Sequence, residues 1–215
     1  MISITGNLWE EVKVNNRLVQ KIKQDFKFSE NVSNLLVDRN FTKEEIFLLN
    51  DSINLVNPFS NNLDFLNSKE IIIDFIKKKK KIMIIGDYDV DGSISTSMLI
   101  NFFKQINHPY DFYIPDRSLD GYGVSEKLLK KLNKKLAELI IIVDSGSKSH
   151  EAIDYLNFLK IKSIIIDHHE ISKPFPKSNT LINPKKENKI KNQVNLCASA
   201  LVYFLIDILR KELNL

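Results

Sequence analysis

From residue 68 onward the chain alternates between two hydrophobic patterns. Short continuous apolar runs lie at 81–85, 111–114, 139–143, 162–166 and 180–182. Between them, at 68–79, 93–106, 125–136, 149–159 and 196–211, apolar residues return every three or four positions. A short unbroken run such as Leu-Ile-Ile-Ile-Val suits a strand buried on both faces, and the three-to-four spacing suits a helix with one buried stripe. Short apolar strands alternating with helices predict an α/β fold with a mostly parallel sheet flanked by helices.

Residues 1–67 have a different pattern. Helical spacing covers 16–26 and 31–38, and Thr42 followed by Glu45 is a capping box that opens a short helix through 49. The stretch 57–67, with Pro58 and several Asn, reads as loop. No chemistry is visible in this part. The expected organisation is a helical N-terminal leader over 1–67, serving packing or as an adaptor, followed by an α/β catalytic domain over 68–215.

Composition narrows the class. Of 215 residues, 43% are hydrophobic and 27% charged, which suits a globular protein with a substantial core. The single cysteine, Cys197, excludes a disulfide framework and a Cys-rich zinc site. No apolar run approaches the ~20 residues of a membrane span, so no membrane partner is expected. The first residues carry no basic-then-apolar signal pattern, and the expected location is cytoplasmic. A net charge of +4 permits a nucleic-acid partner without arguing for one. The five lysines 77–81 could form such a patch. They suit better a solvated helix C-terminus, where cations meet the negative end of the dipole.

Five of the six glycines fall between Gly86 and Gly146, so unusual backbone geometry is concentrated there. In open α/β sheets, ligands bind beyond the carboxyl ends of the strands. After the run at 81–85 comes Gly86-Asp87-Tyr88-Asp89-Val90-Asp91-Gly92. After 139–143 comes Asp144-Ser145-Gly146, and after 162–166 comes Asp167-His168-His169. Clustered carboxylates raise each other's pKa unless a cation neutralises them. Oxygen and imidazole ligands without thiolate suit Mn²⁺ or Mg²⁺ over zinc. The candidate ligands are too many for one ion. Two ions about 3.5–4 Å apart could clamp the attacking and leaving oxygens of a phosphoryl displacement. Asp144, alone on its strand, is the natural bridge. His108 and His150 have no acidic cluster and read as structural.

The loop Pro115-Asp116-Arg117-Ser118-Leu119-Asp120-Gly121-Tyr122-Gly123-Val124 also follows a strand. Arg117 could hold a phosphate through its fork of donors, and Gly121 and Gly123 would let backbone amides approach an anion. An ordinary solvated loop is the competing reading.

Together, Gly-Asp-Tyr-Asp-Val-Asp-Gly, Asp-Gly-Tyr-Gly-Val-Ser at 120–125, Val-Asp-Ser-Gly at 143–146 and Asp-His-His at 167–169 resemble the DHH phosphoesterase superfamily. Within it they resemble the RecJ family of single-strand-specific DNA exonucleases. Leu35-Leu36-Val37-Asp38-Arg39-Asn40, Asn57-Pro58-Phe59 and Asn183-Pro184 are similar to that family too. The resemblance implies a Mn²⁺- or Mg²⁺-dependent hydrolase that removes nucleotides from a 5′ end of single-stranded DNA, in recombination and repair. It implies metal ligation by Asp89, Asp91, Asp144 as the bridge, and His168. It also implies contact of His169 with the scissile phosphate. Ile85 stands where the superfamily often has His, which leaves room for Asp87 at the same ion; Asp167 would orient a His ring. Two further departures are Ser145 for the usual Asn, and Cys197-Ala198-Ser199-Ala200 where a glycine-rich helix start is usual.

The resemblance further implies another metal-binding Asp and a second domain beyond residue 215. On that basis the chain is expected to be slow alone, with a C-terminal half or a single-strand-binding protein as partner. Two rivals remain at this point. Asp89-Val90-Asp91-Gly92-Ser93 is similar to the nucleophile motif of haloacid-dehalogenase-type phosphatases, although there the first Asp follows the strand directly. The other rival is a non-catalytic binding remnant that keeps the acids.

Overall fold

In the computed structural model, residues 2–8, 13–50, 57–186 and 196–215 are described. They divide into two compact units, 1–56 and 57–215. The first unit contains α1 (Asn16–Phe26), α2 (Glu30–Asp38) and α3 (Lys43–Asn50). Its small core holds Val19, Leu36 and Ile46. The capping box forms in both directions. The Thr42 amide donates to Glu45 Oε2 at 2.8 Å, and the Glu45 amide donates to Thr42 Oγ1 at 3.2 Å.

The second unit opens with α4 (Leu63–Lys77), and here the structure corrects the sequence reading. Asn62 caps the helix by accepting from the amides of Asp64 and Phe65. Ser68, expected as the cap, is buried inside the helix. It hydrogen-bonds the Asp64 carbonyl and the Thr180 hydroxyl, each at 2.7 Å. The division expected at 67/68 therefore falls inside α4. The physical cause is aromatic: Phe59 and Phe65 stack at 4.4 Å and Phe59 meets Phe204 edge-on, drawing this stretch into the core of the α/β unit.

The strands are β1 (Ile82–Ile85), β2 (Tyr110–Tyr113), β3 (Leu139–Val143), β4 (Lys162–Ile166) and β5 (Thr180–Ile182). They form one sheet in the order β2-β1-β3-β4-β5, and every neighbouring pair is parallel. The helices between them are α5 (Val90–Gln105), α6 (Glu126–Lys131), α7 (His150–Phe158) and α8 (Ala198–Glu212). Alternate residues of each strand serve two cores. Ile82, Ile84, Ile141 and Ile164 join α4, α5 and α8 on one face. Met83, Ile85, Ile140 and Ile165 join α6 and α7 on the other. Burial on both faces is why these strands read as unbroken apolar runs.

The strand order reverses direction between β1 and β3. In open parallel sheets that switch point is where ligands bind. The ladder continues one residue past the strands, with Asp144 N donating to the Ile166 carbonyl and Asp167 N to the Ile182 carbonyl, both at 2.9 Å. The residues that follow β1, β3 and β4 thus share one edge. The lysine run lies at the opposite end, where Lys78, Lys80 and Lys81 pair with Asp74, Glu138 and Asp111. No described helix is long and apolar enough to cross a membrane.

Candidate metal centre

The helix expected from Ser93 begins at Val90, so the first motif straddles a strand end and a helix start. Asp89 is the N-cap of α5 and accepts from the Gly92 amide at 2.9 Å. Asp91 lies in the first turn, where the helix dipole favours a carboxylate. Gly92 is required by close approach: a Cβ there would stand 2.6 Å from the Asp87 carbonyl oxygen and 2.7 Å from its Cα. Asp87 is itself buried, and its Oδ1 accepts from the Tyr88 amide at 2.7 Å. Burial pushes its carboxyl above the ordinary range, and the Asp89 charge adds to the effect.

Asp144 follows β3 in a left-handed conformation, φ +59, which is sparsely populated by non-glycine residues. Its carboxyl is 1% exposed, and neither oxygen has a hydrogen-bond donor. Burial is the main cause of its pKa being pushed up to about 8, followed by the neighbouring Asp89 carboxyl and the charges of Asp91 and Asp167. Asp144 belongs to two clusters whose ligand atoms lie within 4.8 Å of one another. One is Asp87, Asp89 and Asp144; the other is Asp144, His168 and His169. The orphaned oxygens fit a cation. The donor set, carboxylate and imidazole without thiolate, fits a hard divalent ion.

The β4 end is built differently. Asp167 Oδ2 accepts from the Ser147 amide at 2.9 Å, while Oδ1 accepts from the His168 amide at 2.7 Å and meets His169 Nδ1 at 2.7 Å. Burial raises its pKa, but these hydrogen bonds prevail and hold the carboxyl below its ordinary value. His168 Nε2 turns toward the acids, 3.3 Å from Asp144 Oδ1 and 3.5 Å from Asp91 Oδ2. Asp91 has a second engagement, unforeseen in the sequence. Its oxygens accept from the amides of Ala198 and Ser199 at 2.7 and 2.8 Å, capping α8. Desolvation raises its pKa, yet hydrogen bonds from Ser199 and Ala198 bring it below the usual range.

Three residues at this site carry no sequence signal of their role. Tyr122 Oη lies 3.1 Å from His169 Nε2, so it completes a chain running Asp167–His169–Tyr122. Burial, then the charges of Asp87 and Asp167, push its hydroxyl up to about 12, so it stays protonated. Asn183 donates to the Ser147 hydroxyl and the His169 carbonyl, bracing that loop, and Ser147 supplies the amide for Asp167. Of the expected phosphate-holding group, Arg117 is exposed and stacks 5.4 Å over the Tyr88 ring. Gly121 and Gly123 both have positive φ, and only Gly123 lines the cleft beside His169. Asp120, in the same loop, is structural: Lys131 and the Tyr113 hydroxyl hold its pKa down to about 2.

A family model described as "DHH family, N-terminal domain" matches residues 81–214. The single-stranded-DNA-specific exonuclease RecJ of Bacillus subtilis is 31% identical over 83% of this chain and 23% of its own length. A crystal structure of exonuclease RecJ bound to manganese superposes with a TM-score of 0.64 at 24% identity, covering 71% of this chain and 38% of that one. RecJ in complex with Mn²⁺ from Thermus thermophilus superposes with a TM-score of 0.65 at 16% identity, covering 94% and 28%. This chain spans about a quarter of the length of the Bacillus subtilis relative. The matched stretch takes in the acids after β1, the Asp after β3 and the Asp-His-His after β4, and the chain belongs to the DHH family.

Proposed function

We propose that this chain carries the metal-binding part of a phosphodiesterase that removes nucleotides from the 5′ end of single-stranded DNA, with Mn²⁺ or Mg²⁺ as cofactor. The carrying observation is Asp144. A carboxyl that is buried, held at positive φ, without a donor for either oxygen, and shared by two ligand clusters is suited to bridge two cations. Asp87 and Asp89 would complete one position, and His168 the other with Asp91. The resemblance to RecJ exonucleases supports single-stranded DNA as substrate and a role in recombination and repair.

The bound ions would supply charge neutralisation and a deprotonated water at neutral pH. The protein's own residues do the rest. Asp167 fixes the His169 ring through Nδ1 and leaves Nε2 directed to Tyr122 and the open cleft, where it can donate to a phosphate oxygen. Asp91 ties α5 to the start of α8, so the third acid and that helix move together. Arg117, over Tyr88, has its guanidinium free for a strand phosphate.

The haloacid-dehalogenase reading requires an acid directly after β1. Here Asp87 is separated from Ile85 by Gly86, and Asp89 caps a helix. The test is digestion of 5′-labelled single-stranded DNA with Mn²⁺, beside a duplex control and an Asp144→Asn variant. Release of labelled nucleotides from the single strand by the parent alone supports the reading. Mn²⁺ binding without release identifies a binding module. The same assay beside a chain extended with a further Asp and a second domain tests whether these 215 residues are slow alone.

A further inference from the structure

Beside His169 lies a cleft of about 420 Å³ whose walls come from two loops that the metal centre does not use. One is Tyr122-Gly123; the other is Ser145 to Ser149, leading into α7. Ser145 is 2% exposed, and its hydroxyl has no hydrogen-bond partner. It faces across the cleft: a Cβ built at Gly123 would stand 3.7 Å from Ser145 Cβ. A buried hydroxyl without a partner calls for one from outside.

The surrounding charge says which kind. Lys148 is exposed and in no ion pair among the described residues. The nine-residue α7 opens at the same place, and its Ser149 N-cap makes no side-chain cap. Helix N-termini favour anions. The two acids of the cleft are already answered. Asp167 accepts from the Ser147 amide and from His169, and Glu170 pairs with Lys185 at 2.7 Å. Glycine at 123 and 146, both with positive φ, leaves the backbone open to close approach.

We propose that this cleft is a second phosphate subsite. The Ser145 hydroxyl, Lys148 and the N-terminus of α7 hold an internal phosphodiester of the strand, next to the one that faces Asp144 and His168. The subsite rests on the phosphodiesterase reading. It adds a contact that holds the strand in register while one linkage is at the metal centre, and it makes single nucleotides poorer ligands than oligonucleotides.

The experiment is anisotropy with a labelled oligothymidylate in Ca²⁺ buffer, using a set in which one linkage at a time is a neutral methylphosphonate. Each is prepared with a 5′-hydroxyl and with a 5′-phosphate. One neutralised linkage should cost the parent about tenfold in affinity. Ser145→Ala and Lys148→Met should each bind the unmodified strand about tenfold more weakly and lose sensitivity to that linkage alone, with Mn²⁺ affinity by calorimetry unchanged. Variants that bind as the parent does, or keep its sensitivity at every linkage, overturn the subsite. Variants that lose sensitivity to the 5′-phosphate instead overturn the internal assignment. A parent that binds no single strand removes the phosphodiesterase reading, and the subsite with it. A parent that binds normally while the variants are indifferent removes the subsite alone.

Discussion

Asp144 and Asp167 stand at the ends of neighbouring parallel strands, each 1% exposed, yet their environments are opposite. Asp167 is surrounded by donors: the amides of Ser147, His168 and His169 and the His169 ring. Asp144 has none, and three other carboxylates act on it. A buried carboxylate can be stabilised by the protein or left for a cation. One sheet edge does each, on adjacent strands. The satisfied acid orients an imidazole, and the unsatisfied one is the candidate ligand.

The largest effect should come from removing the unsatisfied acid. Asp144→Asn is expected to abolish high-affinity Mn²⁺ binding at both clusters, a loss beyond the about 10–100-fold typical of outer partners. Calorimetric titration checks it, and parent-like binding would break the contrast. Removing the satisfied acid should act first on folding. Asp167→Ala leaves the Ser147 amide and the His169 ring without an acceptor, and should cost about 2–4 kcal/mol in urea denaturation. Mn²⁺ affinity should fall about 10–100-fold as His169 loses its orientation.

The same pair gives opposite pH dependences in chelator. The Asp144 pKa rises from 3.8 unfolded to about 8 folded, so the folded state binds the extra proton between those values. Stability therefore falls as pH rises through that window. Asp87, also raised by burial, acts in the same direction. Asp167 is lowered, so its contribution is complete above the unfolded value of 3.8 and is lost as pH falls through its folded one. Denaturation midpoints at about pH 5 and about pH 8 should show the decline. Asp144→Asn should leave only the smaller slope due to Asp87. A midpoint that rises with pH in this window would contradict the assignment.

Asp91 and Tyr122 sharpen the comparison with smaller effects. Asp91→Ala should cost metal-free protein about 1 kcal/mol through the lost α8 cap, and Asp91→Asn should recover most of it. Equal stability of the two in chelator would mean that the cap is without weight. Tyr122→Phe removes one hydrogen bond at the end of the Asp167–His169 chain and should cost about 1 kcal/mol or less, read as a few-fold in turnover.

Most of the parallel sheet was legible, because strands buried on both faces announce themselves as apolar runs. The strands at 139–143, 162–166 and 180–182 were read at their observed bounds. Helix starts were less legible. Residues 57–67 look like loop by composition, and only the packing of Phe59 and Phe65 against each other and Phe204 shows why α4 begins at Leu63. The candidate ligands were visible as motifs after strands. The part played by Tyr122 and Asn183 was not, since each meets His169 across a long stretch of chain.

Sequence alone determined which residues could carry chemistry here: acids and imidazoles at strand ends, with glycines where the backbone must come close. Their spacing along the chain sets both the alternation of strand and helix and the end of the sheet at which each acid emerges. Only the tertiary structure decided what each acid does. Burial and hydrogen bonding depend on neighbours brought from elsewhere in the chain. Asp144 meets Asp89 and Asp91, whereas Asp167 meets Ser147 and His169. Asp91 is tied to amides more than a hundred residues away. A carboxylate's charge state follows from the donors and charges within a few ångströms, and only the fold determines which those are.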